Sequence, residues 1–225
     1  MSSYTSRSLL SILMTLLSTA YFPPIQYFSK LYAASGGPVY LEAYESFVKQ
    51  TYRSRCLIVE ARGAQMLSIP VEHGTGRKQT IRELRLSSHG SWQRSHIQAI
   101  RTAYGPSPFF EYYWDDIEAE LKRQWVHLWD LNLSMIELIA SMIDLDICLR
   151  ETSDYIAPTD SPDDWRYRIR PKHTEADPTF VAPPYYQPFA LRHGFVPNAS
   201  ILDLLFNMGP EALIALHKSI VPPKQ

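Results

Sequence analysis

Lys49, Thr51, Arg53 and Arg55 stand at alternate positions, and they carry the clearest chemical signal in this chain. Alternate side chains of an extended strand share one face. The spacing predicts three cations and a hydroxyl side by side, with Tyr52 and Cys56 on the other face. Like charges so close repel unless water or an anion satisfies them, and arginine grips carboxylate or phosphate through paired hydrogen bonds. The cluster reads as an anion site, with a solvated face paired to Glu42, Glu45 or Glu60 as the plainer alternative. His96 shares a helical face with Trp92, Ile100 and Ala103. It is a candidate general acid or base, with a satisfied core histidine as the plainer reading. His193, before Gly194, sits where a loop held by a scaffold would carry function, so it is the second catalytic candidate. Glu42 and Glu45 share a face only if their segment is helical, which leaves salt bridging as their plainer role. Asp115 and Asp116 lie among Glu118 and Glu120 and read as a solvated helix face. Asp203 follows Ser200 by three, the spacing of a reciprocal helix cap.

Several elements must position these groups. Residues 13–20 read as a buried strand stopped by Pro23-Pro24, and a helix from Pro24 to Ala34 follows. Strand signals then cluster at 38–44, 52–61, 65–71 and 81–86, with Arg62-Gly63-Ala64 as a hairpin turn. Short turns between neighbouring strands imply antiparallel pairing. Helices are expected at 92–104, 109–128 and 131–143, with Ser134 to Glu137 as a possible capping box, then a short strand at 147–150. Between 153 and 188 seven prolines mix with Tyr155, Trp165, Tyr167, Phe180, Tyr185 and Tyr186, which predicts a long ordered segment wrapping the domain. Two short helices, around Ser200–Asp203 and after Gly209-Pro210, close the chain. The expected fold class is α+β: a mostly antiparallel sheet, a packed helical layer, and a wrap rich in proline and aromatics. The expected organisation is a leader at 1–12, one domain at 13–217 and a tail at 218–225.

The bulk numbers restrict function. With 22 Lys+Arg against 23 Asp+Glu the net charge is −1, so the chain lacks the basic excess that grips nucleic acid. The hydrophobic fraction of 45% supports a real core. Cys56 and Cys148 sit in apolar runs and read as reduced, buried thiols. Residues 9–17 imitate a signal peptide but are too short to span a bilayer. Cytoplasmic location is expected, with export as the weaker reading. No GxSxG elbow, P-loop, GxGxxG turn or HExxH pair is present, so neither cofactor nor metal is expected. The order strand, Tyr-Phe-Pro-Pro, helix is similar, by analogy alone, to the nucleotide-binding turn of class I synthetase-like folds.

Five stretches together resemble the WbqC-like family of bacteria. They are Tyr21-Phe22-Pro23-Pro24-Ile25-Gln26-Tyr27-Phe28-Ser29-Lys30; the block from Glu42 to Cys56; Leu67-Ser68-Ile69-Pro70-Val71; the series Trp92, His96, Ile100, Ala103-Tyr104 and Ser107 to Phe110; and the run from His193 to Pro210. Each is weak alone, but five in order are specific. The chain departs from the pattern at Ser18-Thr19-Ala20-Tyr21, where more distant members open with His-Gln-Pro, and at Ser54, where many have Asn. The family takes its name from surface-polysaccharide (O-antigen) gene clusters. The resemblance implies a biosynthetic enzyme, with group transfer to a sugar or nucleotide-sugar. In that reading Lys49, Arg53 and Arg55 hold an anionic group and His96 or His193 moves a proton. Tyr21, Gln26, Glu42, Asn198 and Asp203 complete the substrate site. The partner is a small anionic metabolite or nucleotide-sugar. The alternative is a non-catalytic binding or accessory protein that uses the same cationic pocket.

Overall fold

The computed structural model describes residues 14–72, 79–88, 90–158, 163–172 and 176–222. The leader expected at 1–12 lies outside the described residues, as do residues 73–78.

Strand β1 (Thr15–Ser18) runs into helix α1 (Ile25–Ala33), and α1 returns the chain to β2 (Pro38–Glu42), which pairs with β1 in parallel. Pro24 caps α1 from just outside, in an extended conformation, rather than filling its first turn. β3 (Arg55–Glu60) and β4 (Gly63–Ser68) form a hairpin closed by Ala61-Arg62. Gly63 there holds φ +112°, a left-handed backbone that favours glycine. Helices α2 (Trp92–Tyr104), α3 (Phe110–Lys122) and α4 (Leu128–Met142) follow, then β5 (Cys148–Glu151), which lies parallel against the outer side of β2. A single helical turn α5 (Ala190–His193), α6 (Ile201–Met208) and α7 (Ala212–Ser219) end the described chain.

The α+β class stands, but the mostly antiparallel sheet is overturned. The larger sheet has three strands in the order β1-β2-β5, all parallel, and only the separate β3–β4 pair is antiparallel. Parallel neighbours need crossovers. Helix α1 supplies the first, and the hairpin and three helices between β2 and β5 supply the second. The expected strand at 81–86 is instead a 3-10 turn at Ile81–Glu83 followed by isolated bridges from Arg85 and Leu86. Ser134 lies inside α4, where its hydroxyl donates to Glu120.

The core is mainly helical. Leu128, Trp129, Leu131, Met135, Ile136 and Ile139 of α4 are fully buried, and α6 is buried on nearly every side. A helix apolar all round belongs inside. The proline- and aromatic-rich segment seals the sheet. Asp164 bridges Leu16 in parallel on the free side of β1, and Phe180 bridges Ile220 past α7. Cys56 is buried as expected; Cys148, at the start of the edge strand β5, is exposed. No helix among the described residues is long and apolar enough to cross a membrane.

Gly209 ends α6 at φ +51°, and a Cβ there would lie 2.5 Å from the Phe109 ring. Overpacking and left-handed strain add. Gly209→Ala is expected to destabilise the protein by about 2 kcal/mol, read as a lower urea midpoint with an unchanged slope.

Candidate functional site

Parallel strands bring their carboxyl ends to one side, the usual place for a site in such sheets. Here that side carries Ser18, Glu42 and, beyond β5, Thr152. Five buried charges meet there. Arg53 donates to Glu45 through Nε (2.7 Å) and Nη2 (2.6 Å), a bidentate pair, and Nη2 also reaches Ser18 Oγ at 2.6 Å. Arg166, from the wrapping segment, makes a second bidentate pair with Asp164 at 2.9 and 2.6 Å. Its Nη1 donates to Glu42 at 2.9 Å and to the Ile156 carbonyl at 2.6 Å. Glu42 accepts in addition from Thr152 Oγ1 and from the backbone N–H groups of Tyr44 and Ile156. Two guanidiniums thus face three carboxylates, and every charge has a partner. Such a cluster offers an incoming anion nothing. The cavity beside it has a volume of about 10 Å³, room for a single water. The buried Thr19 hydroxyl, unpartnered among the described residues, sits at that cavity and fits such a water.

The three expected cations do not converge. Residues 49–54 form turns rather than a strand: Gln50 has φ +61°, and Thr51 Oγ1 donates to the Val48 carbonyl. The alternation that would align Lys49, Arg53 and Arg55 is therefore broken. Arg53 turns inward to Glu45, Arg55 is half-buried at the start of β3, and Lys49 is exposed.

The other candidates fall in separate places. Tyr21 and His96 meet directly, with the Tyr21 hydroxyl 2.9 Å from His96 Nδ1, both buried. Burial lowers the imidazole to about 4, against a hydrogen bond to the Ser68 backbone that works the other way. Held between the Tyr21 hydroxyl and the Ser68 backbone and cut off from solvent, the ring has the surroundings of a core histidine. His193 lies between two carbonyls, with Nε2 3.0 Å from Glu60 O and Nδ1 3.0 Å from Gly194 O, and so ties α5 to the end of β3. Asp203 is buried in α6. It accepts from Tyr185 and, at 2.7 Å, from Gln187. Burial pushes its carboxyl up to about 6, and the hydrogen bonds from Tyr185, Gln187 and Tyr104 limit the rise. The reciprocal cap is half made: Ser200 Oγ accepts from Leu202 N, but the Asp203 carboxylate turns away to Tyr185.

Gln26 and Asn198 do come together, and Asp177 links them to Lys30, although neither of them lines the pocket there. Asn198 Oδ1 accepts from Gln26 N at 2.8 Å, and Gln26 Nε2 donates to Asp177 at 2.8 Å. Asp177 also pairs with Lys30 at 2.6 Å, and Lys30 donates to Thr179 Oγ1 at 2.8 Å. Burial alone would raise the Asp177 carboxyl, but the hydrogen bonds from Lys30, Gln26 and Thr179 hold it below its ordinary value. Lys30 Nζ lies 3.9 Å from the centre of the Trp165 ring, and the Arg168 guanidinium lies 4.5 Å from the same ring. Lys30, Trp165 and Arg168 wall a pocket of about 590 Å³ between α1, the start of β1 and the wrap. Trp165 also borders the small cavity beside Arg53, so the two spaces share one wall.

Sequence reasoning missed Arg166, Asp177 and the pairing of Lys30. A usable signal was present: in Trp165-Arg166-Tyr167-Arg168 aromatic and cationic residues alternate inside the wrap. No group of three or more His, Cys, Asp or Glu among the described residues is arranged to hold a metal ion.

Comparison with known proteins agrees with the motifs. The profile of the WbqC-like protein family matches residues 19–177. The uncharacterized protein Rv1507c of Mycobacterium tuberculosis is 26% identical over 193 residues, covering 74% of this chain and 81% of its own length. No solved structure matches. The matched stretch opens at Thr19, at the end of β1, and closes at Asp177, the partner of Lys30 and Gln26. It takes in the whole buried charge cluster and more than half of the sequence: the chain belongs to the WbqC-like protein family.

Proposed function

We propose that this protein binds a small anionic metabolite, a nucleotide-sugar of surface-polysaccharide synthesis, in the pocket walled by Lys30, Trp165 and Arg168, and that it serves group transfer to that sugar. The pocket carries this reading. Its volume of about 590 Å³ lies within the range of metabolite sites, and it sets two cationic side chains around one indole. The anion-binding role expected of Lys49, Arg53 and Arg55 passes to Arg168, with Lys30 anchored beside it by Asp177 and Thr179. The link to surface polysaccharide comes from the family resemblance. Cytoplasmic location belongs to the same proposal, because nucleotide-sugars are made there.

A ligand that binds only the folded state raises its stability, by about 2.7 kcal/mol at a hundred times Kd. Thermal unfolding in a panel of nucleotide-sugars and sugar phosphates is expected to show such a rise for at least one of them. If none moves the midpoint at millimolar concentration, the reading fails.

A second reading, a non-catalytic accessory protein, is favoured by one observation. Neither His96 nor His193 lines this pocket, and each is bonded elsewhere. Incubating the bound sugar with acyl and aminoacyl donors separates the two. A mass increase on the sugar supports transfer, and an unchanged sugar supports the accessory role.

A further inference from the structure

A different pocket, of about 370 Å³, opens where the start of α2 meets the chain that leaves α3. Two of the five tryptophans, Trp92 and Trp125, line it, both half-buried. Each indole is fixed from behind. Trp92 stands edge-on to His96 at 5.3 Å, and Trp125 Nε1 donates to the Glu120 carbonyl at 2.9 Å. Gln93 is fixed as well: its Nε2 holds the Leu121 and Arg123 carbonyls at 2.7 and 2.9 Å, which leaves Oε1 as an acceptor. Gln124 is exposed beside Trp125, and Arg85 and Glu72 face each other loosely at 3.7 Å. The wall is chiefly polar.

We infer that this pocket is a binding site for a neutral glycan, a mono- or disaccharide unit. An apolar guest would strand the amides and charges without hydrogen bonds, which costs free energy. An anion would meet Glu72 as soon as it met Arg85. A sugar satisfies both halves of the lining. Its C–H faces pack on rigid indoles, and its hydroxyls exchange hydrogen bonds with planar amide, guanidinium and carboxylate groups. Both tryptophans are held in place beforehand, so little side-chain entropy is lost on binding. The site shares no lining residue with the pocket at Lys30, and the inference stands without the metabolite reading.

The five indole N–H signals of the ¹⁵N-labelled protein, assigned by single Trp→Phe variants, test it. Titration with neutral mono-, di- and trisaccharides is expected to move the Trp92 and Trp125 signals while the Trp165 signal stays in place. A nucleotide-sugar held at Lys30 would instead move Trp165, so failure of either reading is seen separately. Trp92→Ala is expected to weaken the glycan at least tenfold. Should that variant fail to fold, Gln124→Ala, at an exposed position, is expected to weaken it several-fold. The inference is overturned if no neutral glycan moves either signal at millimolar concentration. It is also overturned if a proline-rich peptide moves them and sugars do not, or if glycan affinity survives both substitutions.

Discussion

Arg166→Met is expected to destabilise the protein by about 3–5 kcal/mol, the largest effect of any single substitution proposed for this chain. The methionine fills much of the same space, but it leaves Glu42 and Asp164 buried without their cation. Glu42 keeps its bonds from Thr152 and two backbone N–H groups, and Asp164 keeps the backbone N–H of residue 166 but loses the bidentate guanidinium. The cost is that of uncompensated buried charge, not of a lost attraction alone. Two comparisons check this account. Arg53→Met is expected to behave alike, because it strands Glu45. Adding Glu45→Leu to Arg53→Met should recover a large part of the loss, because two apolar groups then replace two charges. Urea unfolding of the four proteins supplies the numbers. A loss below 1 kcal/mol for Arg166→Met would mean that the wrap is not held to the sheet by this cluster.

Stability should also respond to pH through two buried groups with opposite signs. Asp203 is raised by burial from 3.8 to about 6. Its contribution is full below pH 3.8 and is lost as pH rises to about 6, because the folded state then holds a buried charge. His96 is lowered by burial from 6.5 to about 4. Its contribution is full above pH 6.5 and is lost as pH falls to about 4. At about 1.4 kcal/mol per pH unit, each is worth about 3 kcal/mol. Between pH 4 and 6 the two slopes oppose, so the pair leaves little trace in the wild type. Single variants expose them. Relative to wild type, Asp203→Asn should gain about 3 kcal/mol between pH 3.5 and 7. His96→Gln should gain a similar amount as pH falls from 7 to 4. Any constant offset from the substitution is the same at every pH, so the slope of each difference curve is the readout. Flat curves for both would show that neither group titrates far from its ordinary value.

Much of the architecture could be read from local pattern. Helix α2 is legible residue for residue, because Trp92, His96, Ile100, Ala103 and Tyr104 recur at helical spacing. The β3–β4 hairpin is legible from Gly63, whose positive φ the turn requires. The order strand, Pro-Pro turn, helix, strand over residues 15–42 already contained the crossover of a parallel pair. The antiparallel expectation arose from the hairpin that follows, which belongs to a different sheet. Long-range pairing was not legible. Nothing local to Glu42 marks Arg166 as its partner 124 residues away. Lys49, Arg53 and Arg55 misled for a related reason. Their spacing is meaningful only in an extended chain, and the turn closed by Thr51 removes that premise. Gln26 and Asn198 were singled out by resemblance, and the structure brings them together, but Asp177, which links Gln26 to Lys30, carried no local signal.

The most direct test of where this protein takes its ligand is calorimetric titration of one nucleotide-sugar panel into wild type, Arg168→Ala and the double variant Lys49→Ala/Arg55→Ala. The account predicts that at least one compound binds the wild type, loses tenfold or more in Arg168→Ala, and keeps its affinity in the double variant. Affinity untouched by Arg168→Ala but lost with Lys49 and Arg55 would contradict it and return the site to the surface cations.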